Sequence, residues 1–303
     1  MSTVGALIDR IFREFLHPLD DFPSSVPLKT TITDSDTSVV YEDGYLTVEE
    51  EDMLDQGSKF QLGRELMMAS AINTSTQTLT VPATNRGILG TTAAAATAGD
   101  FIYIDPPYTR QAVYDAVTDG IGSLQPMLYR VGTEEVWHIG WPQEINSDAF
   151  EIIDSRYQEN GRWEKGGGGT LVEGDPDAST GKSVQLNWPY GRRNYVRYKR
   201  AFGSVTDETT TLASIGLTTE MHYPLMLEAV ARVMATVDIK PATQEYISQM
   251  LESQGFPPQT GEKLRNSLLN YRELLVRRIA EKLVTRDNVD VEVMTPYPGA
   301  QLL

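Results

Sequence analysis

The chain has 303 residues, room for two or three domains, an ordinary apolar share of 40% and a formal net charge of −16. Zero cysteines exclude disulfides, thiolate metal sites and a cysteine nucleophile, and the surplus of acid argues against DNA binding by the general surface. No apolar run approaches the ~20 residues of a membrane span, and Asp9, Arg10, Arg13 and Glu14 among the first apolar residues predict an amphipathic helix and not a secretory signal.

Val4, Leu7, Ile8, Ile11, Phe12 and Phe15 recur at helical spacing, and Pro18 and Pro23 end that helix. Short alternating runs follow at Lys29 to Thr33, Ser38 to Tyr41 and Tyr45 to Glu49, with Asp43-Gly44 as a hairpin signal. Phe60 to Ile72 and Gln77 to Val81 read as two further strands, so residues 28 to 105 are expected to be mostly antiparallel β. The period switches to helical over Thr109 to Leu124, closed by Pro126, and returns to strand at Met127 to Val131 and Glu135 to Ile139. Strand candidates at Phe150 to Gln158, Gly161 to Glu164, Ser183 to Trp188 and Tyr195 to Arg200 surround "KGGGGTLVEGDPDASTGKS", which reads as too polar and glycine-rich to pack. The last third is helical: Glu220 to Val237, Thr243 to Glu252, and Glu262 to Arg286 with a stripe of Leu264, Leu268, Tyr271, Leu275, Ile279 and Leu283. After it, Val289, Val291 and Val293 alternate with polar residues, Pro296 and Pro298 keep the chain extended, and Leu302-Leu303 makes an apolar tip.

The expected fold class is therefore α+β. Residues 1–139 hold an N-terminal helix, an antiparallel β segment and a helix; 140–205 form an inserted β-sandwich; 206–286 are a helical bundle; 287–303 are an extended tail.

Few stretches invite chemistry. Gly181-Lys182 suggests a phosphate loop, but the glycine that motif needs four places earlier is Pro176, and the following "SVQLNWPYG" reads as strand, so a flexible loop is expected. The three histidines, His17, His138 and His222, lie far apart and outside any metal-ligand spacing, and no G-x-S-x-G is present. "EEEDMLD", Glu49 to Asp55, lacks the alternation and central glycine of a calcium loop and reads as solvated. Trp137, Trp141, Trp163 and Trp188 all lie in or beside the sandwich segment; sugar stacking is one use for them, and packing is the plainer one. No catalytic residue, cofactor or metal ligand is assigned, and the chain is expected not to be an enzyme. "GRRNYVRYKR", Gly191 to Arg200, is the strongly basic run; on a strand Arg193, Tyr195, Arg197 and Lys199 share one face. Basic and aromatic residues interleaved suit single-stranded nucleic acid or a protein interface. In so acidic a chain the expected partners are acidic groups of another subunit.

The segment "NRGILGTTAAAATAGDFIYIDP", residues 85 to 106, sets four consecutive alanines between two strands. Its glycines permit turns with positive φ, and its alanines lose little side-chain entropy and let two backbones approach closely. It reads as a ring-contact or folded-over loop. From about residue 60 to 135 this pattern resembles the neck proteins of tailed bacteriophages, the head-to-tail adaptors or connectors. In these a strand leads to an R-G-x-x-G-T-x-A-A loop ending in Gly-Asp, then to a strand ending in proline and a helix. Arg86, Gly87, Gly90, Thr91, Ala94, Gly99 and Asp100 match it. The resemblance implies a structural virion protein made in the host bacterial cytoplasm and placed in the neck. It implies a homo-oligomeric ring, commonly a dodecamer, around the DNA channel, with the portal protein and further neck or tail proteins as partners, a nonspecific contact with packaged DNA, and no membrane. A tail or baseplate component with a glycan-binding sandwich is the alternative. The expected interface residues are Arg86, Gly87 and Gly90 in the loop, Arg193, Tyr195, Arg197 and Lys199 on the basic strand, and Val289, Val291, Val293, Leu302 and Leu303 in the tail, which is expected to dock on a neighbouring protein, the portal above.

Overall fold

The computed structural model describes residues 2–16, 24–138, 142–159, 162–165, 168–187, 192–236 and 240–289, and its fold is α+β. Helix α1 (Val4–Ile11) begins where the Thr3 hydroxyl accepts from the Ala6 N–H at 3.2 Å, satisfying an amide of the first turn. Val4, Leu7, Ile8 and Ile11 are completely buried, and a π-helical turn, Phe12–Leu16, continues the buried stripe through Phe15.

Next comes a compact β unit. Its elements are β1 (Ser25–Pro27), β2 (Ser38–Val40), α2 (Val48–Met53), β3 (Lys59–Leu62), β4 (Glu65–Met68), β5 (Ala71–Asn73), β6 (Thr78–Thr80) and β7 (Phe101–Ile104). They form two antiparallel sheets, ordered β1-β7-β3-β4 and β2-β6-β5, which share a core of Val26, Val39, Phe60, Met67, Leu79 and Ile102. Two expectations are corrected here. The run from Phe60 to Ile72 is three strands, because Gly63 takes φ +57 and turns the chain into the β3–β4 hairpin. The strand expected over Tyr45 to Glu49 gives way to α2: Thr47 and Glu50 form a reciprocal capping box, so much of the acidic stretch from Glu49 is a helix and not a loop. Lys29 to Thr33 is not a strand: Ile32 makes an isolated bridge to Ala96, and Lys29 donates its N–H to the Val40 carbonyl at 2.8 Å.

Helix α3 (Arg110–Ser123), capped by Thr109, leads to β8 (Arg130–His138), a single strand where two were expected. The strands β9 (Gln143–Glu144), β10 (Ala149–Glu159), β11 (Arg162–Lys165), β12 (Gly169–Glu173), β13 (Lys182–Leu186) and β14 (Arg192–Arg200) complete a sandwich of two sheets, β11-β10-β14-β8 and β12-β13-β9. Val136, Ala149, Val196 and Tyr198 from the first sheet meet Val184 and Leu186 from the second. The segment read as unable to pack contains β12, which pairs with β13 in full register and half-buries Leu171. β8 pairs with β14 from Arg130↔Arg200 to Arg192↔His138, so the sandwich begins at Arg130 and closes at Arg200.

Helices α4 (Thr219–Thr236), α5 (Pro241–Glu252) and α6 (Gly261–Val289) follow. They do not stand apart from the N-terminal part: α1 and α3 join them in one core with Leu7, Val117, Leu225, Met226, Leu264 and Leu268 at its centre. An eight-residue helix such as α1 cannot be stable alone, and burying its stripe against α3 and α4 supplies what it lacks. Helix α6 continues three residues past the expected Arg286, there being no proline or glycine to stop it before Val289. Val289 is thus helical and not part of a strand, while Val291, Val293, Leu302 and Leu303 lie outside the described residues. No helix among the described residues is long and apolar enough to cross a membrane.

Candidate interface at the alanine loop

The centre of the loop is a buried ion pair. Glu65 opens β4 and its side chain is 0% exposed, with Arg86 beside it at 2%. Arg86 Nε and Nη2 donate to the two Glu65 oxygens at 2.5 and 2.8 Å. The same Nη2 reaches the Ala94 carbonyl at 3.0 Å, and Nη1 donates to the carbonyls of Asp36 at 2.6 Å and Thr33 at 3.3 Å. A guanidinium has five N–H donors, and all five are used. Glu65 also accepts the N–H of Gly87 at 3.2 Å and of Ala94 at 3.0 Å. The bond to Glu65 holds the Arg86 guanidinium above its ordinary range, against the opposing effect of burial.

Several residues matching the connector-like pattern have a local task. Gly87 adopts φ +61, and a Cβ there would stand 2.8 Å from the Ala93 nitrogen. Thr91 Oγ1 accepts the Leu66 N–H at 3.0 Å while Ile88 N–H donates to the Leu66 carbonyl at 2.9 Å, so residues 88–91 cover the outer edge of β4. Gly90 turns at φ +83 beside Leu89, which is 76% exposed. Asp100 closes the loop by accepting the Thr97 N–H at 2.8 Å.

This corrects the expected role of Arg86. It is not a surface contact: its side chain is used within its own chain, and with Gly87 it fixes a folded-over loop. What the loop presents is the alanine run. Ala93 to Ala96 form one wall of a cleft of about 1030 Å³ between the β unit and the helical unit. Leu62, Phe101 and Pro106 line it from the β side, Phe12 and Arg13 from the helical side. Phe101 is 50% exposed. Arg110 links the two sides of the cleft: its side chain donates to Glu208 at 2.6 and 3.0 Å and to Asp9 at 2.7 Å, and its backbone N–H donates to Gln61 of β3 at 2.8 Å. Neither Glu65 nor Arg110 was singled out in the sequence. Glu65 had a signal: one acid inside "LGRELMM" needs a buried cation.

No protein-family model matches the chain, and no curated protein matches it in sequence.

The basic strand is also turned inward electrostatically. Arg193 pairs with Glu135 of β8, Lys199 with Glu151 of β10 at 2.7 Å, and Arg197 approaches Asp154 of β10 at 3.6 Å in a buried setting that Arg156 shares at 3.8 Å. Tyr195 stands opposite Glu135 on β8 and Arg156 on β10. The acidic partners expected on another subunit are therefore found in the same sheet. Behind this face, burial and the Glu134 carboxylate push the Tyr198 hydroxyl up to about 12. Lys182, of the suspected phosphate loop, donates to the Ala149 carbonyl at 2.5 Å and pairs with Glu173 at 3.4 Å. His138 lies on β8, His222 is buried in the first turn of α4, and His17 is outside the described residues. Trp137 lies on β8 and Trp163 on β11; Trp141 and Trp188 are outside the described residues.

Proposed function

We propose that this chain is a structural virion protein of a tailed bacteriophage, a ring-forming connector at the head-to-tail junction. One observation carries the reading: Arg86, Gly87, Thr91 and Ala94 of the connector-like loop pattern are all bonded to Glu65 or to β4, and together they hold a small-residue wall at the mouth of a cleft. Such a wall admits another backbone at close range and brings no reactive group to it. Rings are head-to-tail assemblies closed by rotation, in which one face of a subunit meets a different face of the next. In that setting the portal protein is the neighbour on one side, further neck or tail proteins on the other, and packaged DNA passes through the centre. The dodecamer is the ring order the resemblance implies.

The test is the mass of the purified full chain in native mass spectrometry, with particle images beside it. The expected result is a closed ring at a discrete multiple of 33.7 kDa. A chain that stays monomeric at micromolar concentration, and is absent from purified particles, defeats the reading.

A further inference from the structure

We infer that the cleft takes an extended strand from a neighbouring copy, and that the strand is residues 290–303 of that copy's tail. The inference rests on the ring reading above.

The wall of the cleft has the hydrogen-bonding pattern of a half-used strand. Ala94 gives its N–H to Glu65 and its carbonyl to Arg86, and Ala96 exchanges both backbone bonds with Ile32, at 3.0 and 2.9 Å. Ala93 and Ala95 make no backbone hydrogen bond among the described residues. Alternation with a period of two is what an extended segment shows when one edge is paired and the other is free. The free edge belongs to residues that line the cleft. Unpaired backbone groups beside an open channel are what β-strand addition uses: main-chain bonds supply affinity and side-chain pockets on the two flanks supply specificity.

The two flanks differ. On the β side Leu62, Phe101 and Pro106 offer apolar surface, and on the helical side Phe12 stands beside Arg13. Of the charged groups at the cleft, Arg110 is tied to Glu208 and Asp9, Arg64 to Glu208, Glu65 to Arg86 and Asp100 to Thr97, while Arg13 has no ion-pair partner among the described residues. The occupant therefore has an apolar side and an acidic side, one residue out of phase. Residues 290–294, "DVEVM", have that pattern: Val291 and Val293 for the apolar flank, Asp290 and Glu292 for Arg13. The fourteen residues after Val289 span roughly 46–50 Å when extended, at ~3.3–3.6 Å each, which is enough to pass from one subunit to the next. The tail expected on the portal is thereby directed to a second copy of this chain.

The absence of native cysteine makes the test clean. Ala95→Cys and Val291→Cys are placed in the full chain, which is oxidised mildly and run on a non-reducing gel. The expected result is a ladder of covalent dimers and higher species from the double variant and none from either single variant. Ala95→Pro removes a backbone donor that the subunit itself does not use. It is expected to leave the melting temperature of the subunit within a few degrees and to lower ring yield at least tenfold. Truncation after Val289 should do the same. Crosslinking that appears only within one chain overturns the transfer between copies. A ring that forms normally in the truncated chain, with no crosslink in the double variant, overturns the inference and leaves the ring reading standing. A monomeric full chain overturns both.

Discussion

Glu65 accepts four hydrogen bonds at a position from which water is excluded, and Arg86 returns three more to backbone carbonyls. Removing one partner of such a pair leaves the other charged and buried, which costs about 3–5 kcal/mol, whereas replacing both by apolar groups of similar size is often close to neutral. Glu65→Ala is accordingly expected to destabilise the β unit by that amount in chemical denaturation, and Arg86→Met by a similar amount. The double change Glu65→Leu with Arg86→Met should recover much of the loss in stability while loosening residues 88–96. Single variants that each cost under ~1 kcal/mol would show that the pair does not hold the loop. His222 gives a separate test at the same scale. Burial, reinforced by the positive charge of Arg10, holds its imidazole below the ordinary value of 6.5. The folded state therefore prefers the neutral ring. Its contribution is fully present above the unfolded value and is lost as pH falls below 6.5 toward the lowered folded value. The melting temperature should drop between neutral pH and about pH 5, and His222→Gln should flatten that part of the profile. The carboxylates Asp36, Glu50, Glu144, Asp175 and Asp207, all held low by hydrogen bonds, act only at more acid pH. A profile unchanged by His222→Gln would remove the histidine from the acid response.

The elements differ in how far the sequence declares them. The long periodic helices are plain, because their stripes of Val113, Val117 and Ile121, or Leu264, Leu268 and Leu283, point to one buried face. Helix α2 was declared as well, by Thr47 and Glu50 at capping-box spacing, but its acidic run has no apolar stripe to draw attention to it. The division into units was harder to see. α1 and α3 are separated from α4 and α6 by many residues, and no local pattern says that their stripes meet in one core. The same holds for the loop: the glycines of the connector-like pattern were visible, and the pairing of Arg86 with Glu65 across 21 residues was not. The sandwich boundary shows the consequence. A composition shift near 140 suggests a cut there, yet β8 is paired along its length with β14. Excision of residues 140–205 strips β8 of its partner and takes Phe202 from the helical core, and it should give insoluble protein. Excision of 131–199 starts and ends at Arg130 and Arg200, which are direct partners across two strands, so a short glycine-serine link should close the gap. That chain should keep its helical circular dichroism and a cooperative melt. If the second excision is also insoluble, the sandwich is part of the folding unit and not an insertion.

At the scale of the whole molecule the decisive quantity is charge. The chain carries 42 acidic and 26 basic side chains, and the three cations of its most basic strand that were expected to reach outward are paired within their own sheet. That strand consequently offers little net field to a phosphate backbone. The cations that remain concentrated on one exposed element are those of α6, where Lys263 and Arg278 are exposed and Arg277 is shared only with Glu273. In the ring proposed above, repulsion between acidic subunits and duplex DNA would keep the DNA from sticking to the wall, while a few exposed cations would set a weak, screened attraction. Phosphate contacts release counterions, and affinity then falls steeply with salt in proportion to their number. Duplex DNA should therefore bind the protein only at low ionic strength, with a shallow salt slope of a few phosphates and no retention at about 150 mM salt. Reversing Lys263 and Arg278 to glutamate should abolish the residual binding. Reversing Arg193 should leave it unchanged, since that charge is already met by Glu135. Filter binding across a salt series separates the cases: a steep slope, or loss on changing Arg193 and not α6, would place the DNA contact on the sandwich and overturn this assignment of charge.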